Sequence, residues 1–134
     1  MTVAIRKFTF EEYLAYDDGT NTRYELVDGE LVAMGVGTGL HGAIAEFLNE
    51  QLKEAARRAN QSWTAKDMKV GIRSPRGTRW DTSRIPDLVV LPISQWEALR
   101  MREAVIELQD PPPLLVVEVV SESTIATDYR AKTQ

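Results

Sequence analysis

The 134 residues are 43% hydrophobic and 27% charged, with a formal net charge of −4, a composition that fits one globular domain and excludes a disordered or fibrous chain. Cysteine is absent, which rules out disulfide frameworks, thiolate metal sites and thiol redox chemistry. No segment reaches membrane-spanning length and the start lacks a secretory signal, so the chain reads as cytoplasmic, while its acidity argues weakly against non-specific coating of nucleic acid.

In chain order, Thr9-Phe10-Glu11-Glu12 has the Thr-x-x-Glu spacing of a capping box, which predicts a short helix through about Tyr16, ended by Asp17-Asp18-Gly19. Arg23 to Val27 and Glu30 to Met34 read as two strands joined at Asp28-Gly29, a dipeptide that tolerates the positive φ of a tight hairpin. From His41 to about Ala59, the residues Ile44, Phe47, Leu48, Leu52, Ala55 and Ala59 recur at helical spacing. They predict an amphipathic helix that lays this face on a sheet. Ser62 to Ile72 reads as a third strand, followed by a turn at Ser74-Pro75-Arg76-Gly77.

The two strongest strand signals follow, and each contains an acid. Asp87 lies in Ile85-Pro86-Asp87-Leu88-Val89-Val90-Leu91 and Glu118 in Leu114-Leu115-Val116-Val117-Glu118-Val119-Val120. Both runs are short, rich in β-branched residues and bounded by turn residues, the pattern of strands in a largely covered sheet. An ionised carboxylate in such a place costs several kcal/mol, on the order of a lost buried ion pair, unless it has a cation or a donor cluster. Two acids on neighbouring strand ends point to one shared cation. Between them Ser94 to Arg102 predicts a short helix, and a final helix is expected to begin near Ser123 or Thr124. The order of elements predicts an α/β (α+β) fold, a mixed sheet flanked by helices.

Pro86-Asp87 with a later strand glutamate resembles the Pro-Asp…(Asp/Glu)-x-Lys signature of the restriction-endonuclease-like nucleases, although Val120 occupies the place of the usual lysine. The chain is more specifically similar to one branch, the Uma-two endonucleases. Four segments carry that resemblance: the hairpin Tyr24 to Leu31, His41 at a helix start, Pro86 to Val90, and Val116 to Thr124. It implies a restriction-endonuclease-like domain over residues 1–134 that lacks the family's last strand and the end of its final helix. It further implies that the lysine has moved to the following helix, at Lys132, preceded by Asp128.

The implied activity is hydrolysis of DNA phosphodiester bonds with Mg2+ or Mn2+. Asp87, Glu118 and the carbonyl of Val119 would bind the metal, Lys132 would assist the attacking water, and Glu25, or Glu46 in its place, would complete the acidic shell. Lys66, Lys69, Arg73, Arg76, Arg79 and Arg84, with Trp80 among them, form a basic stretch that would follow a phosphate backbone. Simpler readings stay open. Asp87 pairs with Arg84 or a neighbouring lysine at a strand edge in one of them; in others Glu118 is a structural ion-pair member, Glu25 caps or pairs locally, Lys132 is a solvated helix residue, His41 is a helix-start or partly buried residue, and the basic stretch is a solvated strand and loop. At the level of the whole protein, the alternatives are a nuclease-derived module that binds nucleic acid or a partner without cutting, and a structural or oligomerisation domain. A homodimer is compatible with each.

Overall fold

The computed structural model describes residues 6–75 and 79–120. Its elements are α1 (Phe10–Ala15), β1 (Tyr24–Val27), β2 (Glu30–Ala33), α2 (Gly39–Arg58), β3 (Trp63–Asp67), β4 (Gly71–Ser74), β5 (Thr82–Arg84), β6 (Leu88–Pro92), α3 (Ile93–Leu99), β7 (Val105–Ile106) and β8 (Leu115–Val117). The strands form a five-stranded sheet, β2-β1-β5-β4-β7, and a three-stranded sheet, β3-β6-β8. Only the β4–β7 pairing among these is parallel, so the architecture is the expected mixed α+β one.

Local signals built the amino-terminal part as expected. Thr9 caps α1 by accepting from the Glu12 amide, and the Glu12 side chain accepts from the Thr9 amide, so both bonds of the capping box form. In the β1–β2 hairpin Asp28 and Gly29 both have positive φ, 49° and 78°. Gly29 is required twice over, because a Cβ there would stand 2.9 Å from Trp80 Cβ and Cγ. The ring of Trp80 thus lies under the turn and joins it to the strand that leads into β5.

Three expectations are corrected. The stretch Ser62 to Ile72 is not one strand. Met68 takes φ 50° and donates its amide to the Asp87 carbonyl at 3.0 Å, so the chain leaves one sheet as β3 and enters the other as β4. The second correction concerns α2, which packs on β3 through Ala45, Asn49 and Ala56, whereas Ile44 and Phe47 are 38% and 61% exposed. Small side chains let helix and sheet approach closely, and that rotates the larger apolar residues outward. The third concerns the two acidic strands. β6 is buried along Leu88 to Leu91 because it has a partner on each side, β3 and β8; β8 pairs only with β6 among the described residues and leaves Leu115 and Val116 about half exposed.

The core has two parts, of which the first surrounds β6. Val70, Val89, Leu91, Leu99 and Ile106 pack together with Ile72 and Trp96 around β6, and Phe8, Phe10, Leu26 and Val105 pack with Tyr13 and Leu31 beneath α1. Arg73 bridges these regions electrostatically, 3.3 Å from Asp81 and 3.0 Å from Glu107, with its guanidinium 4.1 Å from the centre of the Phe10 ring. The helix, hairpin and strands around β6 are therefore tied by both apolar and charged contacts. No helix among the described residues is long and apolar enough to cross a membrane.

Candidate active site at the start of β6

Asp87 is 7% exposed and stands immediately before β6. The antiparallel register pairs Leu88 with Val117, so Asp87 and Glu118 are the next residues outward on the two neighbouring strands. The Val119 amide donates to Asp87 Oδ2 at 2.7 Å, which joins the two acidic segments directly. A charged acceptor shortens and strengthens such a bond, offsetting part of the desolvation of the carboxylate.

A second group holds the same oxygen. His41 Nε2 lies 3.3 Å from Asp87 Oδ2. The imidazole is placed there by the start of α2, where Thr38 accepts from the His41 amide at 3.1 Å and fixes the first turn. Among the described residues Arg84 makes no ion pair with Asp87; the partner is His41. Both contacts fall on Oδ2, and none of the described residues engages Oδ1. Among the described residues the carboxylate is oriented through Oδ2 alone.

Glu25 approaches from the five-stranded sheet. β1 pairs with β5 at Leu26 and Ser83, and Glu25 Oε2 accepts from the Ile85 amide at 2.6 Å, two residues before Asp87. Its charge also acts on Tyr13, whose hydroxyl is pushed above the ordinary tyrosine pKa by burial first and by Glu25 next. Glu118 is half-buried just past β8. Lys132, Asp128 and the expected final helix lie outside the described residues, as does Arg76. Among the described residues no three His, Asp or Glu side chains cluster closely enough to hold a metal ion by themselves.

The described residues of the basic stretch are divided between the two sheets. Lys66 is on β3 and its ammonium sits 4.5 Å from the centre of the Trp96 ring, while Lys69 pairs with Asp67. Arg73 is committed to Asp81 and Glu107, and Arg79 lies over Trp80 at 5.2 Å. Arg84 is half-buried on β5. Folding divides these residues between two sheets, and the exposed positive charge before Asp87 is smaller than the linear sequence implies.

His41 is the residue that sequence reasoning undervalued. Its signal was present: the chain's sole histidine stands in the first turn of a helix, behind a threonine cap, and a buried aspartate elsewhere needed a partner.

Comparison with known proteins agrees with this architecture. The family model Uma2, described as putative restriction endonuclease, matches residues 10–134. The chain belongs to that family. Among solved structures it is similar to a putative nuclease belonging to DUF820 from Anabaena variabilis ATCC 29413, with a TM-score of 0.58 and 18% identity over 92% of this chain and 66% of that one. That likeness shows a shared fold, and this chain spans just under two thirds of the other's length. The search of curated proteins finds no match.

Proposed function

We propose that the protein is a divalent-metal-dependent nuclease that hydrolyses DNA phosphodiester bonds at the Asp87 end of β6. One observation carries the reading: Asp87 is nearly buried, fixed through Oδ2 by Val119 and His41, with Oδ1 uncommitted among the described residues. Among the described residues nothing offsets the desolvation of that second oxygen, and a bound cation would do so.

The oxygen donors at this end of β6 fit a hard cation. Asp87 Oδ1, the Glu118 carboxylate and the Val119 carbonyl are all oxygen donors, and Mg2+ or Mn2+ is commonly held by one or two carboxylates with the remaining positions filled by water. Bound there, such a cation supplies a lowered pKa for water and neutralises charge on phosphoryl oxygens. The protein's own groups do the rest. His41 and the Val119 amide position Asp87, and Glu25 fixes the backbone at Ile85 and so the approach to the Pro86-Asp87 turn. Lys132 is assigned the orientation of the attacking water. In this reading residues 1–134 act as one cytoplasmic domain, alone or as a homodimer.

Plasmid DNA incubated with Mg2+ or Mn2+ tests the proposal. Nicked or linear product is expected only with the cation, and both Asp87→Ala and Glu118→Ala should abolish it. Cleavage that survives chelation or the Asp87→Ala change overturns the assignment, and salt-sensitive retention of DNA without product moves the protein to the binding-module reading.

A further inference from the structure

A cleft at the opposite end of α2 belongs to no part of the proposed nuclease site. It has a volume of about 340 Å3 and is lined by Lys53, Arg57, Trp63, Lys66, Ile93 and Trp96, with Glu97 at its edge. Lys53 follows His41 by twelve helical residues, about 18 Å along the axis. The β3–β6 register pairs Trp63 with Pro92 at this end and Asp67 with Leu88 near Asp87, so the two sites lie toward different ends of the same ladder.

The charges in the cleft are unbalanced. Arg57 is tied at 2.7 Å to Glu54, which it shares with Arg58, and Glu97 is tied to Arg100 at 3.0 Å. Among the described residues Lys53 and Lys66 have no carboxylate partner, and the Lys66 ammonium rests on the Trp96 ring instead. Burial, followed by the like charges of Lys53, Lys69 and Arg100, holds the Lys66 ammonium below the ordinary lysine pKa. A half-buried lysine kept near a second lysine, with only the charge of the neighbouring Asp67, itself paired to Lys69, acting the other way, is stabilised most directly by an external anion. The surrounding walls, Trp63, Ile93 and Trp96, add an apolar and aromatic surface beside that charge. The volume is at the lower end of ligand pockets, about 300–1,000 Å3.

We infer that this cleft binds a nucleoside phosphate, its phosphate held between Lys53 and Lys66 and its base against the Trp63 and Ile93 walls. The phosphate is that of a free nucleotide or of a nucleotide unit within a single strand, and the chemistry of recognition is the same. The inference goes beyond the nuclease reading and does not depend on it.

Calorimetric titration in a chelating buffer tests it, with adenosine monophosphate, inorganic phosphate, adenosine and a short oligothymidylate as probes. The monophosphate is expected to bind and adenosine to bind at least about tenfold more weakly, the scale of one lost charge-assisted contact. Lys53→Glu and Lys66→Gln should each weaken binding by at least about tenfold, and Asp87→Ala should leave it unchanged. Lys53 makes no hydrogen bond or ion pair among the described residues, so its replacement leaves the fold intact, as circular dichroism would verify. Binding of the oligothymidylate alone, with the same dependence on Lys53, supports the inference with a strand as the source. Equal binding of adenosine and its monophosphate, binding indifferent to Lys53→Glu, or no binding by any probe overturns it.

Discussion

Replacing His41 by alanine removes the imidazole that stands 3.3 Å from Asp87 Oδ2, and the size of the effect follows from what remains. A hydrogen bond to a charged group contributes about 1.5–3 kcal/mol. The 3.3 Å imidazole–carboxylate approach is a close polar contact without hydrogen-bond geometry, so it stands at or below the lower end of that range. Breaking a fully buried ion pair costs about 3–5 kcal/mol because the remaining charge is orphaned. Here it is not orphaned, since the Val119 amide still donates to the same oxygen at 2.7 Å. The expected coupling between His41 and Asp87 is therefore about 1–2 kcal/mol. It is measured by urea unfolding of His41→Ala, Asp87→Asn and the double variant, the asparagine retaining an acceptor for Val119. In cleavage the single His41→Ala change should lower activity by about 10–100-fold, as expected for a group that orients a metal-binding carboxylate. A coupling below about 0.5 kcal/mol, the range of independent sites, would refute the role assigned to His41.

Gly29→Ala combines a left-handed backbone with a Cβ 2.9 Å from Trp80, and should destabilise the fold by at least about 2 kcal/mol in urea unfolding. Arg73→Ala, which removes one ion-pair partner of Asp81 and of Glu107, should cost about 3 kcal/mol in the same assay, while the exposed Arg79→Ala should change stability by no more than about 0.5 kcal/mol. Asp18 is held at a pKa of about 2 against an ordinary 3.8, by the Thr20 hydroxyl first and the Tyr24 hydroxyl next. Because the folded pKa is depressed, this contribution is present above about pH 3.8 and is lost as pH falls through about 2. Tyr24→Phe should move the Asp18 carboxyl titration upward in an NMR pH series, and an unchanged titration would count against that hydrogen bond.

The parts of the fold that were legible in the sequence are those set by neighbouring residues. The capping box at Thr9 and Glu12 and the Asp28-Gly29 turn each need only a few consecutive side chains, and both formed as expected. The apolar run before Leu91 identified β6, because burial on both faces leaves no alternation to misread. Met68 defeated the reading of one long strand, since methionine carries no preference for positive φ and the bend is held by a distant carbonyl, that of Asp87. The face of α2 was misassigned because hydrophobicity favours Ile44 and Phe47, whereas close packing selected Ala45 and Ala56. β7, only two residues long, is too short to show a period.

At the candidate site, sequence reasoning located the two acids and their neighbouring strands but not what holds them. The strand runs exposed Asp87 and Glu118 as anomalies, and the Leu88–Val117 register makes their segments adjacent. The His41 contact depends on the packing of α2 over the sheet, which no local pattern encodes. Within the basic stretch, Lys66 and Arg73 fall on strands of different sheets, and Arg73 pairs with Asp81 and Glu107, partners that sequence order alone does not assign.

The claim at the centre of this account is that Asp87 presents a prepared oxygen to a divalent cation, and Mn2+ titration followed by electron paramagnetic resonance tests it without requiring turnover. The wild-type protein should remove free Mn2+ signal with saturable binding at a site competed by Mg2+, and Asp87→Ala should abolish that binding while the protein remains folded. Saturable binding that persists unchanged in Asp87→Ala, or its complete absence in the wild-type protein, would contradict the account.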